Sequence, residues 1–155
     1  MRLRFLWPGP TKSAEMRGLQ EQYLGKIGRM ASWDLVETKG TRGLTERAAA
    51  KILDIEAQGL EKHLANDYII CLFDKGQEMT SEELAVLLNT VGGETARPVV
   101  FVVGGFLGLA DRILRRAQKR LSLSRMTLSH ELCRVVLLEQ VYRSLTIMKG
   151  RSYAK

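Results

Sequence analysis

The sequence is poor in the residues on which several classes of protein depend. Its 155 residues include two cysteines, two histidines and three prolines. Cys71 and Cys133 are far apart and form no CxxC pair, so they predict reduced core thiols and not a disulfide framework. Only His63 and His130 could join them as metal ligands, and a metal site is therefore not expected.

Long apolar runs are also missing. No stretch approaches the roughly 20 apolar residues that cross a bilayer, so we expect no membrane span. The opening segment MRLRFLWPGP lacks the apolar core and the small-residue cleavage site of a signal peptide. Because a chain of this length suits one domain with a sizeable core, residues 1–155 are predicted to form a single cytoplasmic domain.

Positive charge is concentrated towards the end of the chain. The net charge is +7, yet residues 1–109 contain 13 basic and 14 acidic residues. Residues 110–125 contain six basic residues and one acid, and residues 126–155 contain five basic residues and two acids. Such asymmetry indicates a polyanionic partner, with nucleic acid as the first candidate, although a solvated basic helix face fits the charge equally well.

Apolar segments of strand length alternate with helical segments. Strands are predicted at RLRFLW, WDLVET, DYIICLF and PVVFVVGG, and LSLSRMTL could hold a fifth. Helices are predicted to begin at an N-cap on Ser13, near Thr45, at a capping box of Thr80 and Glu83, at the basic segment LADRILRRAQKRL, and near Ser129. This alternation predicts an α/β fold with a parallel sheet covered on both faces.

Three segments could carry chemistry, because ligands of open α/β sheets bind at the carboxyl ends of strands. They are Leu72–Gly76, Gly104–Gly108 and the segment LSLSRMTLSHEL. Glycines let a backbone approach a ligand closely, but GGFLG is also typical of a tight turn, and the serine-rich segment is also typical of an ordinary loop. The absence of GxGxxG after the first strand, of GxxxxGK[ST] and of GxSxG argues against a dinucleotide-binding fold, a P-loop NTPase and an α/β-hydrolase.

The order and spacing of several segments resemble one known family. FVVGGFLGL, SLSRMTLSHEL and CRVVLLEQVYRSLTIMKGRSY match the pattern of the RlmH family, and LFDKGQEMTSEELA fits it as well. These are small bacterial methyltransferases of large-subunit ribosomal RNA, in the SPOUT class. The resemblance covers the whole chain and implies a SPOUT-type α/β knot, a parallel-rich sheet flanked by helices with a C-terminal deep trefoil knot.

The resemblance also implies an activity. The family uses S-adenosyl-L-methionine to methylate N3 of a pseudouridine in helix 69 of 23S rRNA. It acts on the assembled 70S ribosome as a homodimer whose site is built across two subunits. A knotted dimer would also explain a last helix that is apolar nearly all round, because a helix that is apolar on every side is a buried helix.

Candidate site residues fall into three groups. The resemblance assigns cofactor binding to Leu72, Gly104, Gly105, Gly108, Leu123, Ser124, Arg125, Met126, Thr127, Leu128 and Ser129. The catalytic candidates are Arg134 and Arg143, which could stabilise charge on the substrate, and His130 as the nearby base. Expected RNA contacts are Arg112, Arg115, Arg116, Lys119, Arg120 and Arg151, with Arg125 as a further phosphate anchor. The resemblance adds Tyr142 and Tyr153, which match tyrosines of the family pattern. Two alternatives stay open, namely an ion pair of Arg143 with Glu139 and a His130 without a chemical role.

The sequence departs from the family pattern at several positions. Phe73 stands where the family usually has aspartate, Ser129 where it has proline, and Ala154 where it has histidine. GGFLG also lacks the small or acidic residue that often follows the second glycine. Two other interpretations therefore remain: a non-catalytic ribosome-binding protein that binds cofactor without turnover, and an unrelated flavodoxin-like nucleotide binder, which a monomer in solution would favour.

Overall fold

One parallel sheet with helices on both faces organises the protein. The computed structural model describes residues 1–41, 43–94 and 97–152. The strands are β1 (Arg2–Pro8), β2 (Ser32–Thr38), β3 (Tyr68–Glu78), β4 (Val99–Val102) and β5 (Lys119–Ser122). The helices are α1 (Ala14–Ile27), α2 (Ala49–Glu61), α3 (Ser81–Glu94), α4 (Asp111–Leu114) and α5 (His130–Met148), and a 3₁₀ turn, Glu46–Ala48, precedes α2.

The strands lie in the order β2-β1-β4-β3-β5, and each pairing is parallel. The predicted parallel sheet flanked by helices is therefore confirmed. Parallel strands of this kind are connected by helices that cross the faces of the sheet, so the strands are buried on both sides. All four residues of β4, at the centre of the sheet, are buried accordingly.

Alternate residues of the central strands separate the core into two layers. Phe5 and Phe101 point to one face, where their rings stack with centroids 5.8 Å apart, and this layer includes side chains of α1, α3 and α5. Leu6, Val100 and Val102 point to the other face, against α2 and α4. This period of two is the consequence of strand geometry.

Three predicted helix starts are confirmed by their capping contacts. The Ser13 hydroxyl accepts a hydrogen bond from the Met16 N–H at the start of α1. In the capping box before α3, the Thr80 N–H donates to Glu83 and the Glu83 N–H donates to the Thr80 hydroxyl. Ser129 caps α5 through the Leu132 N–H at 3.4 Å. Each contact satisfies a backbone donor that the first turn of a helix leaves free.

The prediction of a basic helix over residues 109–121 was wrong. The helical part is the single turn of α4, and the chain then enters β5, earlier than the strand that LSLSRMTL suggested. The Gln118 backbone and side chain exchange hydrogen bonds with Ile69 of β3 at 2.9 and 2.7 Å, which starts the pairing of β5 with β3. Pairing with an existing sheet edge satisfies backbone groups and outweighs the helix propensity of arginine and lysine, which tertiary context can override.

The last helix, α5, is buried on several sides within one chain. It packs against α1 and α3. Its buried residues are Arg134, Val135, Leu137, Leu138, Val141, Ser144, Leu145 and Thr146. This burial accounts for the nearly all-round apolarity of the helix without a second subunit.

We predict that Leu88→Ala destabilises the protein by about 2–5 kcal/mol. Leu88 of α3 is fully buried in the core layer that includes α5, so truncation of its side chain leaves a cavity there. Val86 lies on the same helix but is 66% exposed, so Val86→Ala should change stability by no more than about 0.5 kcal/mol. Urea unfolding followed by circular dichroism measures both. Equal losses for the two variants would contradict the described packing of α3.

Candidate active site

A cavity of about 550 Å³ opens at the carboxyl edge of the sheet. Three segments enclose it: part of β3, the loop after β4, and the β5–α5 loop with the first turn of α5. Its lining residues are Leu72, Phe73, Asp74, Val103, Gly104, Gly105, Phe106, Leu107, Gly108, Leu109, Leu121, Leu123, Ser124, Met126, Thr127, Leu128, Ser129, His130 and Cys133. Since parallel strands end at one edge, segments far apart in sequence meet there.

The structure brings nearly all of the predicted cofactor residues together around this cavity. The exception is Arg125, whose side chain is 88% exposed and lies 3.9 Å from Glu78. Asp74 and Phe106 also line the cavity and belong to the two strand-end segments predicted from the sequence, whereas sequence reasoning missed Val103, Leu109 and Cys133. The Leu72–Gly76 segment, predicted as the carboxyl end of a strand, lies within β3, which continues to Glu78 through an irregular register between Leu72 and Gln77.

The glycine loop Gly104–Gly108 is both a tight turn and a wall of the cavity. The Gly108 N–H donates to the Gly105 carbonyl at 3.0 Å, and Gly108 has a φ of 78°. A Cβ atom on Gly104 would collide with the Gly108 backbone. Gly104 and Gly108 are therefore both needed for the turn. The tight turn and the ligand-binding loop, the two interpretations of GGFLG, are thus the same structure.

Serine hydroxyls hold the β5–α5 loop in shape. Ser122 Oγ lies 3.0 Å from the carbonyl oxygens of both Asp74 and Ser124. Ser124 Oγ accepts a hydrogen bond from the Met126 N–H at 2.9 Å. These hydroxyls are thus engaged within the chain, whereas Thr127 is an exposed residue of the cavity wall.

His130 faces the cavity from the first turn of α5. Burial lowers its pKa, and the positive charges of Arg134 and Lys12 lower it further, against the opposing effect of Glu131. The imidazole is consequently neutral near pH 7 and able to accept a proton.

Arg134 is enclosed by its own chain and does not line the cavity. Its guanidinium donates to the Thr11 hydroxyl at 3.0 Å and to the Pro8 carbonyl at 2.9 Å, and it lies 4.9 Å from the centroid of the Trp7 ring. Burial lowers its pKa to about 10, although three glutamates oppose that effect. In this chain, Arg134 thus holds α5 against the segment that follows β1.

Arg143 lies more than two turns further along α5 and is absent from the lining of the cavity. It donates to the Glu139 carboxylate at 2.7 Å, which is the ion pair offered as the alternative to a catalytic role. Their side chains are 23% and 20% exposed. The structure therefore separates Arg143 from both Arg134 and His130.

Glu131 makes a further connection that sequence reasoning missed. Its carboxylate accepts the backbone N–H groups of Lys12 and Ser13 at 2.8 and 3.0 Å. Burial raises the pKa of this carboxyl, but the two hydrogen bonds outweigh that effect and the pKa is lowered. Together with Arg134, Glu131 ties the start of α5 to the segment before α1.

Among the basic residues expected to contact RNA, Arg112 is engaged most strongly within the chain. It forms ion pairs with Asp54 at 2.5 Å and with Glu61 at 2.6 Å. These contacts join α4 to α2, so Arg112 has a structural role whether or not it meets phosphate.

The other basic residues near β5 are partly engaged. Arg116 and Arg120 donate to backbone carbonyls at 3.3 and 3.1 Å, and Lys119 donates to a glutamine side chain at 3.0 Å. Arg115 is exposed at the C-terminal end of α4. The predicted anchors thus lie on α4 and on β5, the edge strand of the sheet, and not along one helix face.

Tyr142 and Arg151, also expected to contact RNA, lie elsewhere. They line a smaller cavity of about 130 Å³ together with Lys26 and Arg29 of the α1 region. Lys26 Nζ lies 5.4 Å from the ring centroids of both Tyr23 and Tyr142. Lys26 and Arg29 give no signal of their own in the sequence, because more than 100 positions separate them from Tyr142.

The departures from the family pattern have different outcomes in the structure. Phe73 is a half-buried wall residue of the cavity, so this departure changes the site itself. Ser129 supplies the N-cap of α5, so this departure keeps the start of the helix. Tyr153, Ala154 and Lys155 lie outside the described residues.

Comparison with known proteins places this fold and cavity in one class. A family model described as "Predicted SPOUT methyltransferase" matches residues 1–154. Among solved structures, a probable methyltransferase from Bordetella pertussis Tohama I has a TM-score of 0.61 at 17% identity, covering 93% of this chain and 94% of that one. A probable methylase family protein from Haemophilus influenzae Rd KW20 has a TM-score of 0.56 at 13% identity, covering 99% and 70%. The structural likenesses show the fold, and the family match defines a SPOUT methyltransferase.

Curated relatives define the branch within that class. The protein from Geotalea daltonii named ribosomal RNA large subunit methyltransferase H is 39% identical over 154 residues, which cover 99% of each chain. Its namesake from Geobacter sp. strain M21 is 38% identical, covering 99% of this chain and 98% of its own. The chain belongs to this family, RlmH, which excludes an unrelated flavodoxin-like protein.

Neither a membrane-spanning helix nor a metal-binding cluster is found in the described parts of the chain. No helix within residues 1–41, 43–94 and 97–152 has the length and apolarity needed to cross a bilayer. In the same parts of the chain, no cluster of three or more histidine, cysteine, aspartate or glutamate side chains is arranged to hold a metal ion.

We predict that Cys133 reacts with a thiol reagent in the native state and that Cys71 does not. Burial raises the pKa of the Cys71 thiol to about 12, and the residue is fully enclosed. Burial also raises the pKa of Cys133, so labelling at pH 8 should be slow and should accelerate as pH rises, but this thiol borders the open cavity. Absorbance with a disulfide reagent measures one thiol in buffer and two in urea. Cys133→Ser should abolish native labelling, and its persistence would contradict the described cavity wall.

Proposed function

We propose that this protein is an S-adenosyl-L-methionine-dependent methyltransferase that acts on N3 of a pseudouridine in helix 69 of 23S rRNA. Membership of the RlmH family supports methyl transfer to large-subunit ribosomal RNA. The proposal depends on one observation, namely that the glycine loop, the β5–α5 loop and His130 meet around the same cavity. Its expected place of action is the assembled 70S ribosome in the cytoplasm.

The residues of the cavity suit the proposed cofactor. The volume of about 550 Å³ lies within the range of small-molecule sites. Leucine side chains, Phe106 and Met126 provide apolar walls, while the tight turn at Gly104 and Gly108 exposes backbone where side chains would block it. Backbone groups of residues 124–129 would hold the adenine, and the glycine loop would surround the methionine part. The cofactor supplies a methyl group that is already activated on a sulfonium.

The protein then has to align the substrate, exclude water and manage one proton. Holding the methyl donor and the acceptor nitrogen close together and correctly oriented removes much of the entropic barrier to methyl transfer. The pseudouridine N3–H must lose its proton, and His130, kept neutral by burial and by neighbouring positive charge, lies at the cavity as a candidate to accept it. Arg143 remains the candidate to stabilise negative charge on the carbonyl oxygens, provided that substrate displaces its ion pair with Glu139.

A homodimer with a C-terminal trefoil knot forms part of the same proposal. In one chain, Arg143 is remote from the lining of the cavity, so a site that uses both Arg143 and His130 requires a second subunit. Leu19 of α1 and Ile147 of α5 are 40% and 38% exposed, and a partner on these neighbouring helices would cover apolar area. A knot would pass the β5–α5 segment through the loop that follows β4.

RNA binding is proposed to use both groups of basic residues. Arg115 and its neighbours on α4 and β5 would contact phosphates, and Lys26, Arg29 and Arg151 would surround a second stretch of backbone beside Tyr142. Such contacts provide affinity and orientation, whereas the target base is selected by RNA shape and by the surrounding ribosome.

A non-catalytic protein that binds cofactor and ribosome without turnover is the second candidate. The substitutions Phe73 and Ala154 favour it, because each replaces a polar group of the family pattern by a side chain without proton-transfer chemistry. Phe73 lines the cavity itself.

Methyl transfer can be tested directly with tritiated S-adenosylmethionine and intact 70S ribosomes whose helix 69 pseudouridine is unmethylated. We expect label in 23S rRNA at that pseudouridine, and His130→Ala should lower the single-turnover rate by about 100-fold or more. His63→Ala, the same change at a histidine outside the lining of the cavity, serves as the matched control. Cofactor binding without any label would support the non-catalytic alternative, and label on another nucleotide would refute the proposed target.

Salt dependence tests the phosphate contacts. Ribosome affinity should fall steeply between about 50 and 200 mM salt, and Arg115→Ala should make the log–log slope shallower by about one. Lys51→Ala removes an exposed charge from α2, outside both basic groups, and should leave the slope unchanged. Binding measured by filtration at several salt concentrations gives the slopes. An unchanged slope for Arg115→Ala would show that Arg115 does not contact an RNA phosphate.

A further inference from the structure

Glu56 of α2 is a buried carboxylate that the proposed chemistry does not use. The residue is 7% exposed, and its Oε1 atom has no hydrogen-bond partner among the described residues. Enclosing a carboxylate without a donor is costly, so a group of this kind indicates a donor that the isolated chain does not supply.

The position of Glu56 relates it to the cavity. A Cβ atom on Gly105 would lie 2.9 Å from Glu56 Oε2 and 3.1 Å from Oε1. Gly105 itself lines the cavity. The carboxylate is therefore separated from the cavity by the thickness of one glycine, and any side chain at position 105 would have to displace it.

Arg134 acts electrostatically on Glu56 but does not neutralise it by direct contact. Burial raises the pKa of the Glu56 carboxyl and the charge of Arg134 lowers it, but no ion pair joins these two described residues. Arg134 instead donates to Thr11 and Pro8, and its own Nε atom has no hydrogen-bond partner. Glu56 thus retains an acceptor for a cationic donor that arrives from outside the chain.

We propose that Glu56 accepts the α-ammonium group of the cofactor's amino-acid part, reached past Gly105. This inference rests on the proposed function, in which S-adenosylmethionine occupies the cavity. An ammonium group offers three donors and a positive charge, which complement a desolvated carboxylate far better than water does. Asp74 also borders the cavity, but it is exposed, so its charge is screened by solvent.

Calorimetric titration of the full-length protein tests this assignment without turnover. The two ligands are S-adenosylhomocysteine, which cannot transfer a methyl group, and an analogue of it in which hydrogen replaces the amino group. The wild-type protein should bind the analogue about tenfold more weakly or worse, because it loses a charge-assisted hydrogen bond. Glu56→Gln should weaken S-adenosylhomocysteine binding by a similar factor and bind the two ligands almost equally.

The matched control is Asp74→Asn, which should preserve the wild-type preference for the amino ligand. A preference lost in Asp74→Asn and kept in Glu56→Gln would overturn the assignment, as would equal weakening of both ligands by Glu56→Gln, the result of a purely structural role. The wild-type comparison needs no variant: equal affinity for both ligands also refutes the inference. No binding of S-adenosylhomocysteine at all would instead refute the proposed cofactor.

Discussion

The buried Arg134 is the constraint on which the arrangement of the site depends. Its guanidinium donates to the Pro8 carbonyl at the end of β1 and to the Thr11 hydroxyl just beyond it, and it lies against the Trp7 ring. It therefore fixes the first turns of α5 at the carboxyl edge of the sheet. Glu131 adds two hydrogen bonds from the same turn to the same segment. A buried cation held in this way is intolerant of change, because removing its partners leaves an uncompensated charge.

Fixing the start of α5 also determines the shape of the cavity. His130 and Cys133 occupy one wall because they are on the helix that Arg134 anchors, and the β5–α5 loop has to span from the sheet to that point. On the opposite side, the glycine loop turns tightly enough that Gly104 has no room for a side chain. The site is therefore made of backbone and short side chains held by rigid neighbours, as preorganised binding of a small molecule requires.

Charge is used in two different ways across the protein. Arg112 forms ion pairs with Asp54 and Glu61 that join two helices. Arg115, at the end of the same short helix, is exposed. Net charge alone does not distinguish these cases, since each arginine adds equally to the total of +7. Which charges remain available for a polyanion is a property of the folded surface.

The sequence by itself determined the parallel sheet, the capped helices and the three segments that surround the cavity, because periodicity, capping pairs and glycines are local signals. The individual cofactor residues came from the resemblance to a known family. The tertiary structure decided that residues 119–122 become a strand, since pairing with β3 outweighs local helix preference. It also decided that Arg134 is enclosed and that Glu56 lies behind Gly105. Contacts of this kind join positions that are remote in the chain, and no local pattern encodes which of them meet.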